Sequence, residues 1–348
     1  MLGVVCPYGW GESTRLAFLL VEHLNQRLIP CRWLSMQSRE RHLHEHWDHR
    51  VLPYCQHRFR DWFAPLSQIV WFVNNPLPLK WALRAGKDNL RVVLPASASA
   101  GDLRWLSTYD RLLTPGPGCS PIADGQYLRS SAFRWLPPPT DAPRQELFQK
   151  DAVRVWWPLR GNLSRSPSCT PLLEVWWALL DRHPHLHLTL NHSRQFCLSA
   201  LQRVGEMRDR FGPRLAVLRK LPYEAQRQQP ANHDVTYWHP SRDSSGIEVA
   251  ESLALHTPVL SIDTETVRWW VRDGHSGRLL PALRQMRTAG CEAYDYWDCA
   301  SILAFLDEQL SDPDGLVAMR RLDWAETRMW RRSFESRWDR IGGYVHAG

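Results

Sequence analysis

The 348-residue chain contains no apolar run near the roughly 20 residues that a membrane-spanning helix needs, which argues against a helical membrane protein. Its start, Met1-Leu2-Gly3-Val4-Val5-Cys6, lacks the basic segment and long apolar stretch of a secretion signal. It reads as a first strand, and a cytoplasmic location is the expectation. Eight cysteines are scattered along the chain with no Cys-x-x-Cys spacing, so a zinc knuckle or redox pair is not expected and the thiols read as reduced. Short-period repeats and low-complexity tracts are also missing, which excludes solenoid arrays.

The chain does have enough apolar residues, 44%, for real cores. Its length suggests two domains. The net charge of +7 lies mostly in the first 141 residues, which hold 16 basic against 11 acidic side chains, while the remainder holds 27 against 25. Such an excess favours an acidic partner. Nineteen tryptophans are read as core filling.

Strands and helices alternate. Val4-Val5, Leu28–Leu34, Gln68–Val73, Leu90–Leu94 and Arg111–Thr114 read as strands, with an apolar-periodic helix over Leu16–Leu24. Trp135-Leu136-Pro137-Pro138-Pro139-Thr140-Asp141 breaks the pattern, because proline forces extended backbone before it. The pattern then restarts. Val153–Trp157, Leu186–Leu190, Ala216–Leu218, Val235–Trp238 and Pro258–Ile262 read as strands. Pro171–Leu180 and Ile247–Leu255 read as helices, and the tail is helical from about Asp298. The predicted class is α/β, with two doubly wound parallel sheets and a ligand cleft between them. The expected division is 1–141, 142–320 and a terminal segment, 321–348.

The segment His239-Pro240-Ser241-Arg242-Asp243-Ser244-Ser245-Gly246-Ile247-Glu248-Val249-Ala250-Glu251 carries the strongest chemical signal. An acidic residue ends a strand loop, a glycine follows, and a second carboxylate falls inside the next helix. Gly246 lets the backbone approach a ligand closely. The exposed amides at the helix start suit a phosphate. Glu251 suits a diol, since a carboxylate accepts two hydroxyl hydrogen bonds.

This segment, running on through His256-Thr257-Pro258-Val259-Leu260, resembles the E-x7-E signature of retaining GT-B glycosyltransferases, notably family 4. Asp243 falls on the first Glu, Gly246 on a motif glycine, Glu251 on the second Glu and Pro258 on the proline. The resemblance implies that Glu251 holds the donor ribose and Asp243 lies beside the transferred sugar, with Glu248 as the alternative carboxylate there. Ser245 and Ile247 fall on the same donor-binding turn. Two departures stand out: Asp243 is shorter than Glu, and His256 replaces the usual Gly.

A second match follows the first strand of the second half, where Arg160 and Arg165 keep the five-residue spacing of the family's Arg and Lys. Two cations would neutralise a diphosphate leaving group as a metal does elsewhere. The resemblance therefore implies no metal and no cofactor beyond a nucleotide-sugar co-substrate, with UDP-glucose the expected donor. Gly9 and Gly11 resemble the family's N-terminal glycine loop. Trp270–Pro281 resembles its Asp-Gly turn, Thr264-Glu265-Thr266 falls in its preceding loop, and Asp323-Trp324 resembles the start of a closing helix that crosses back to the first domain. The histidine that relatives often carry after the fourth strand is missing, and no general base is assigned.

In such enzymes the first domain binds the acceptor. Here it contains Arg39, Arg41, Trp47, Arg50, Arg58 and Arg60 interleaved with histidines, and Asn74 after the third strand. Arginine with aromatics is a kit for nucleic acid. The alternating histidines have no fixed metal geometry. The expected acceptor is a 5-hydroxymethylpyrimidine base in double-stranded DNA, which must leave the base stack to react. Alternatives are a polysaccharide or lipid-linked glycan, an epimerase on the same fold, a non-catalytic nucleic-acid-binding protein, or a plain solvated face for this stretch.

Overall fold

A computed structural model describes residues 1–6, 12–26, 28–35, 51–52, 63–72, 80, 83–84, 86–92, 108–114, 122–123, 126–127, 130–132, 152–159, 169–192, 196–219, 221, 223–240, 246–268, 270–281, 284–288, 291–296 and 298–319. The first part of the chain supplies β1 (Leu2–Cys6), α1 (Glu12–Gln26), β2 (Cys31–Ser35), β3 (Val51–Leu52), β4 (Gln68–Trp71), β5 (Asp88–Val92), β6 (Arg111–Thr114), the hairpin β7 (Ile122–Ala123) and β8 (Gln126–Tyr127), and β9 (Ser130–Ala132). The second supplies β10 (Val153–Leu159), α2 (Cys169–Arg182), β11 (Leu186–His192), α3 (Leu198–Phe211), β12 (Leu215–Arg219), α4 (Tyr223–Gln228), β13 (Val235–Trp238) and α5 (Ile247–Ala254). It continues with β14 (Val259–Ile262), α6 (Glu265–Arg268), β15 (Gly277–Leu280), the hairpin β16 (Arg284–Thr288) and β17 (Cys291–Tyr296), and α7 (Cys299–Leu310).

Two parallel sheets result. The first runs β3-β2-β1-β4-β5-β6-β9 and the second β12-β11-β10-β13-β14-β15. Counted within each half, both begin with the order 3-2-1-4-5-6, the doubly wound arrangement in which the winding direction reverses between strands 1 and 4. The reversal falls between β1 and β4 in one sheet and between β10 and β13 in the other.

β1 is buried at every residue, as a strand covered on both faces must be. α1 buries Leu16, Ala17, Leu20, Val21 and Leu24, one helical stripe. The second sheet has a core on each face. On one, Trp157, Trp176 and Tyr237 pack ring to ring at 5.3–5.8 Å among residues of β10, β11, α2, α3 and α7. On the other, Trp238 packs with Val249, Ala250 and Leu253 of α5 and with Val267, Trp270 and Val271. Trp33, Trp71, Trp156, Trp157, Trp176, Trp238 and Trp270 are all fully buried, which fits tryptophan as core filling.

Element bounds differ from the sequence reading by one to three residues at most ends, and Arg111–Thr114 and Val235–Trp238 coincide with it. Residues 28–30, expected to open the second strand, instead form a turn with Leu28 at φ 58°. Thr264-Glu265-Thr266 was expected in a loop, yet Glu265 starts the short helix α6, whose first turn Thr264 supports by accepting from the Val267 amide at 3.3 Å. α3, both hairpins and β9 had no sequence assignment. The expected turn over Trp270–Pro281 is present: Gly274 has φ 76° and Asp273 accepts a hydrogen bond from the Leu279 amide at 3.0 Å. Gly277 is required by packing, since a Cβ there would run into the Val259 carbonyl of the neighbouring strand. Asp298 caps α7 by accepting from the Ser301 amide at 2.7 Å.

The end of α5 explains why His256 can stand where the resembled family has glycine. The His256 amide donates to the Leu253 carbonyl at 2.9 Å and the Thr257 amide to the Ser252 carbonyl at 2.9 Å. These are the two bonds of a Schellman cap, which needs a left-handed residue after the helix. His256 supplies it at φ 58°, so the backbone of the motif is kept while the residue is changed. A non-glycine residue held there is strained by about 1 kcal/mol. His256→Gly is therefore expected to raise unfolding stability in urea by up to about 1 kcal/mol. A loss of stability on this substitution would contradict the strain.

Candidate functional site

In open parallel sheets, ligands bind beyond the carboxyl ends of the strands at the point where the winding reverses. β13 leads to that point in the second sheet, and α5 starts just beyond it. Gly246 precedes α5 in the left-handed region, φ 72° and ψ 27°, a conformation that glycine adopts without strain. All eight residues of α5 are buried, including the charged Glu248 and Glu251. Ser252 donates its hydroxyl to the Glu248 carbonyl at 2.7 Å, which satisfies it inside the helix.

Glu248 and Glu251 stand three apart and so share one face of α5. A single cation meets both. The Arg15 guanidinium donates from Nη1 to Glu248 Oε1 and from Nη2 to Glu251 Oε2. Arg15 lies in the first turn of α1, directly after β1 in the other sheet. All three side chains are at most 9% exposed, so these charges meet away from water. The Trp238 indole also reaches Glu248 Oε2 from below, at 3.4 Å. Both carboxylates sit in the first two turns of α5, where the helix dipole favours negative charge. The contact joins the helices that follow the two winding reversals, and so brings the carboxyl edges of both sheets to one place.

Of the residues expected to bind the donor, Gly246, Ile247 and Glu251 are described and lie together at the start of α5. Gly9, Gly11, Arg160, Arg165, Asp243 and Ser245 lie outside the described residues. The flanking strands still constrain where their segments begin. β10 and β13 pair parallel with Val155 opposite Val235, and this register carried forward sets Leu159, which precedes Arg160, beside His239. Gly9 and Gly11 fall between the end of β1 and the start of α1, the helix that carries Arg15. Arg39, Arg41, Trp47, Arg50, Arg58, Arg60 and Asn74 also lie outside the described residues. Among the described residues, no three His, Cys, Asp or Glu gather in metal-binding geometry, and no helix is long and apolar enough to cross a membrane.

Arg15 was missed in the sequence. It sits between Thr14 and the apolar stripe of α1, and nothing in one sequence says that such an arginine is buried. The signal that could have drawn attention to it is position: it falls in the first turn of the helix after a glycine-containing loop.

Two carboxyl edges facing each other across buried charge, on twin sheets of the same strand order, define the GT-B fold. Solved structures agree over nearly the whole chain. The chain is similar to HepE of Anabaena solved in complex with UDP and glucose, with a TM-score of 0.68, 11% identity and coverage of 100% of this chain and 99% of that one. It is also similar to sucrose-phosphate synthase from Thermosynechococcus elongatus, with a TM-score of 0.66, 13% identity and coverage of 99% of each chain. For MnaA of S. aureus in a structure with UDP, the TM-score is 0.58 at 10% identity, covering 92% of this chain and 90% of that one. No family model matches the sequence, and no curated protein matches it.

Two buried histidines make the second domain sensitive to acid. His239, just after β13, shares a hydrogen bond with the Tyr237 hydroxyl at 3.0 Å, and burial pushes its imidazole down to about 3. His233 packs on Trp156 at 5.4 Å, and burial holds it down to about 4. Both are therefore neutral in the folded protein, while the unfolded chain takes up protons below the ordinary value of 6.5. Stability is fully present above that value and falls as the pH drops from there toward 4. Each histidine contributes a slope of up to about 1.4 kcal/mol per pH unit. Denaturant unfolding at pH 7, 6, 5 and 4.5 is expected to show this decline, with a shallower slope in His239→Asn. An unchanged slope in His239→Asn would contradict the assignment.

Proposed function

We propose that this chain is a glycosyltransferase that moves a hexose, glucose first, from a UDP-sugar to an acceptor hydroxyl, with retention and without a metal. The observation that carries this reading is the convergence of Gly246, the α5 start and Glu251 with the α1 start at facing sheet edges. HepE, of the same fold, was solved with UDP and glucose, which supports the choice of donor. Residues 1–141 form the acceptor-side domain, 142–320 the donor-side domain, and 321–348 crosses back to the first.

In this reading the diphosphate meets the amides at the α5 start, through Ser245, Gly246 and Ile247, with Gly9 and Gly11 opposite. Glu251 accepts the ribose hydroxyls. Arg160 and Arg165 hold the leaving diphosphate, and Asp243 lies beside the sugar. The bond from the sugar C1 to the phosphate oxygen breaks, and a bond from the acceptor oxygen to C1 forms. The acceptor proton passes to the departing phosphate. Stabilising the charge that develops on that phosphate is then the main catalytic work, and two guanidiniums perform it in place of a metal.

The acceptor reading rests on the basic, aromatic stretch holding Arg39, Arg41, Trp47, Arg50, Arg58 and Arg60, with Asn74 following the third predicted strand. It names a 5-hydroxymethylpyrimidine base in DNA. The assay is incubation with UDP-[14C]glucose and either DNA containing 5-hydroxymethylcytosine or 5-hydroxymethyluracil, or a lipid and polysaccharide extract. Label in DNA is the expected result, and label confined to the extract replaces that acceptor with a glycan. EDTA is expected to leave the rate unchanged. Arg165→Ala is expected to lower transfer at least about a hundredfold, the scale of losing a group that stabilises developing charge, and Glu251→Ala about a hundredfold through lost charge-assisted hydrogen bonds to the ribose. Glu251→Ala is expected to remain folded, because Arg15 keeps Glu248 as a partner. Normal turnover in either variant would remove that residue from the site.

A further inference from the structure

Arg15 takes no part in the chemistry just described, yet through it the first sheet reaches the donor carboxylate. Its guanidinium comes from 233 and 236 residues away in sequence to bond Glu248 and Glu251. Holding the two halves together would need only one carboxylate. A second one adds negative charge at a buried helix start, where a diphosphate would add more. Two carboxylates three apart on one helix face repel each other. A guanidinium forked between them offsets that repulsion and sets the direction of each carboxylate.

We propose that Arg15 is a positioning residue of the donor site, which orients Glu251 toward the ribose, screens Glu248 from the diphosphate, and completes the site only when both sheets meet. The inference rests on the donor reading above. It gives α1 a role in substrate binding through a side chain that does not touch the substrate. It also makes donor affinity depend on the approach of the two halves, since Arg15 cannot reach α5 without it.

The test is titration calorimetry with UDP on wild-type protein, Arg15→Ala, Arg15→Lys and the double variant Arg15→Ala/Glu248→Gln, each checked for folding by circular dichroism. Arg15→Ala is expected to weaken UDP binding about ten- to a hundredfold, the scale of a lost charge-assisted hydrogen bond. Arg15→Lys keeps the charge but cannot fork onto both carboxylates, and is expected to fall between the two. The double variant relieves the repulsion and is expected to recover part of the loss, which a purely structural role would not produce. Wild-type affinity in folded Arg15→Lys, or no recovery in the double variant, overturns the proposal. If Arg15→Ala does not fold, Arg15→Lys against wild type decides. Wild-type protein that binds no UDP at millimolar concentration overturns the donor reading as well, so the two failures are told apart.

Discussion

Burying three charges is costly, and the start of α5 does so with Arg15, Glu248 and Glu251. Each ion loses several kcal/mol of hydration, and only good geometry with further hydrogen bonds offsets that. Here the offsets are visible. The guanidinium forks onto two acceptors, the carboxylates lie where the helix dipole favours them, and an indole stands under Glu248. The arginine is less well placed on its own helix, because the first turn of α1 disfavours a cation. Its stability there comes from the other half of the molecule. A contact of this kind is weak evidence for raw stability and stronger evidence for a required geometry, since removing one partner strands the others in a dry site.

The packing beneath this edge keeps it in place. Trp238 closes the α5 side of the second sheet, while Tyr237, one residue earlier, belongs to the ring cluster on the opposite face. Strand alternation sends the two aromatics to opposite cores. Fully buried β13 carries the chain toward His239 and Gly246 with its large rings divided between the two cores. On the far side, Asp307 of α7 binds His183 at 2.7 Å and Arg182 at 3.1 Å, which ties α7 to the end of α2. The carboxyl edge of the second sheet is thus backed by two cores of large rings.

Much of the architecture was legible because short apolar runs bounded by turn residues are a local signal. β6, β10, β13 and α2 fall where the pattern set them, and α7 begins right after Asp298, from about which the tail was expected to be helical. The hairpin β16–β17 was not legible. Its strands, Arg-Gln-Met-Arg-Thr and Cys-Glu-Ala-Tyr-Asp-Tyr, are too polar to show an apolar run, and pairing alone defines them. α3 was missed for a related reason: only Ala200, Val204, Met207 and Phe211 are buried, a thin stripe in a charged segment. His256 shows the reverse case, where residue identity departs from a motif while the backbone conformation persists.

Gly246 and Glu251 could be singled out from sequence because a strand, a glycine and a spaced carboxylate lie within one short segment, and local order carries their meaning. The parallel, doubly wound character of both sheets followed from alternation of strands and helices, since parallel strands need crossovers, whereas the order of the strands emerged only in the structure. The partner of Glu251 could not follow from such order. Arg15 and Glu251 are 236 residues apart, and only the meeting of two separately wound sheets sets a helix start from one against a helix start from the other. Spacing along a chain fixes which side chains share a helix face; which distant cation that face will bury is decided by how the sheets pack.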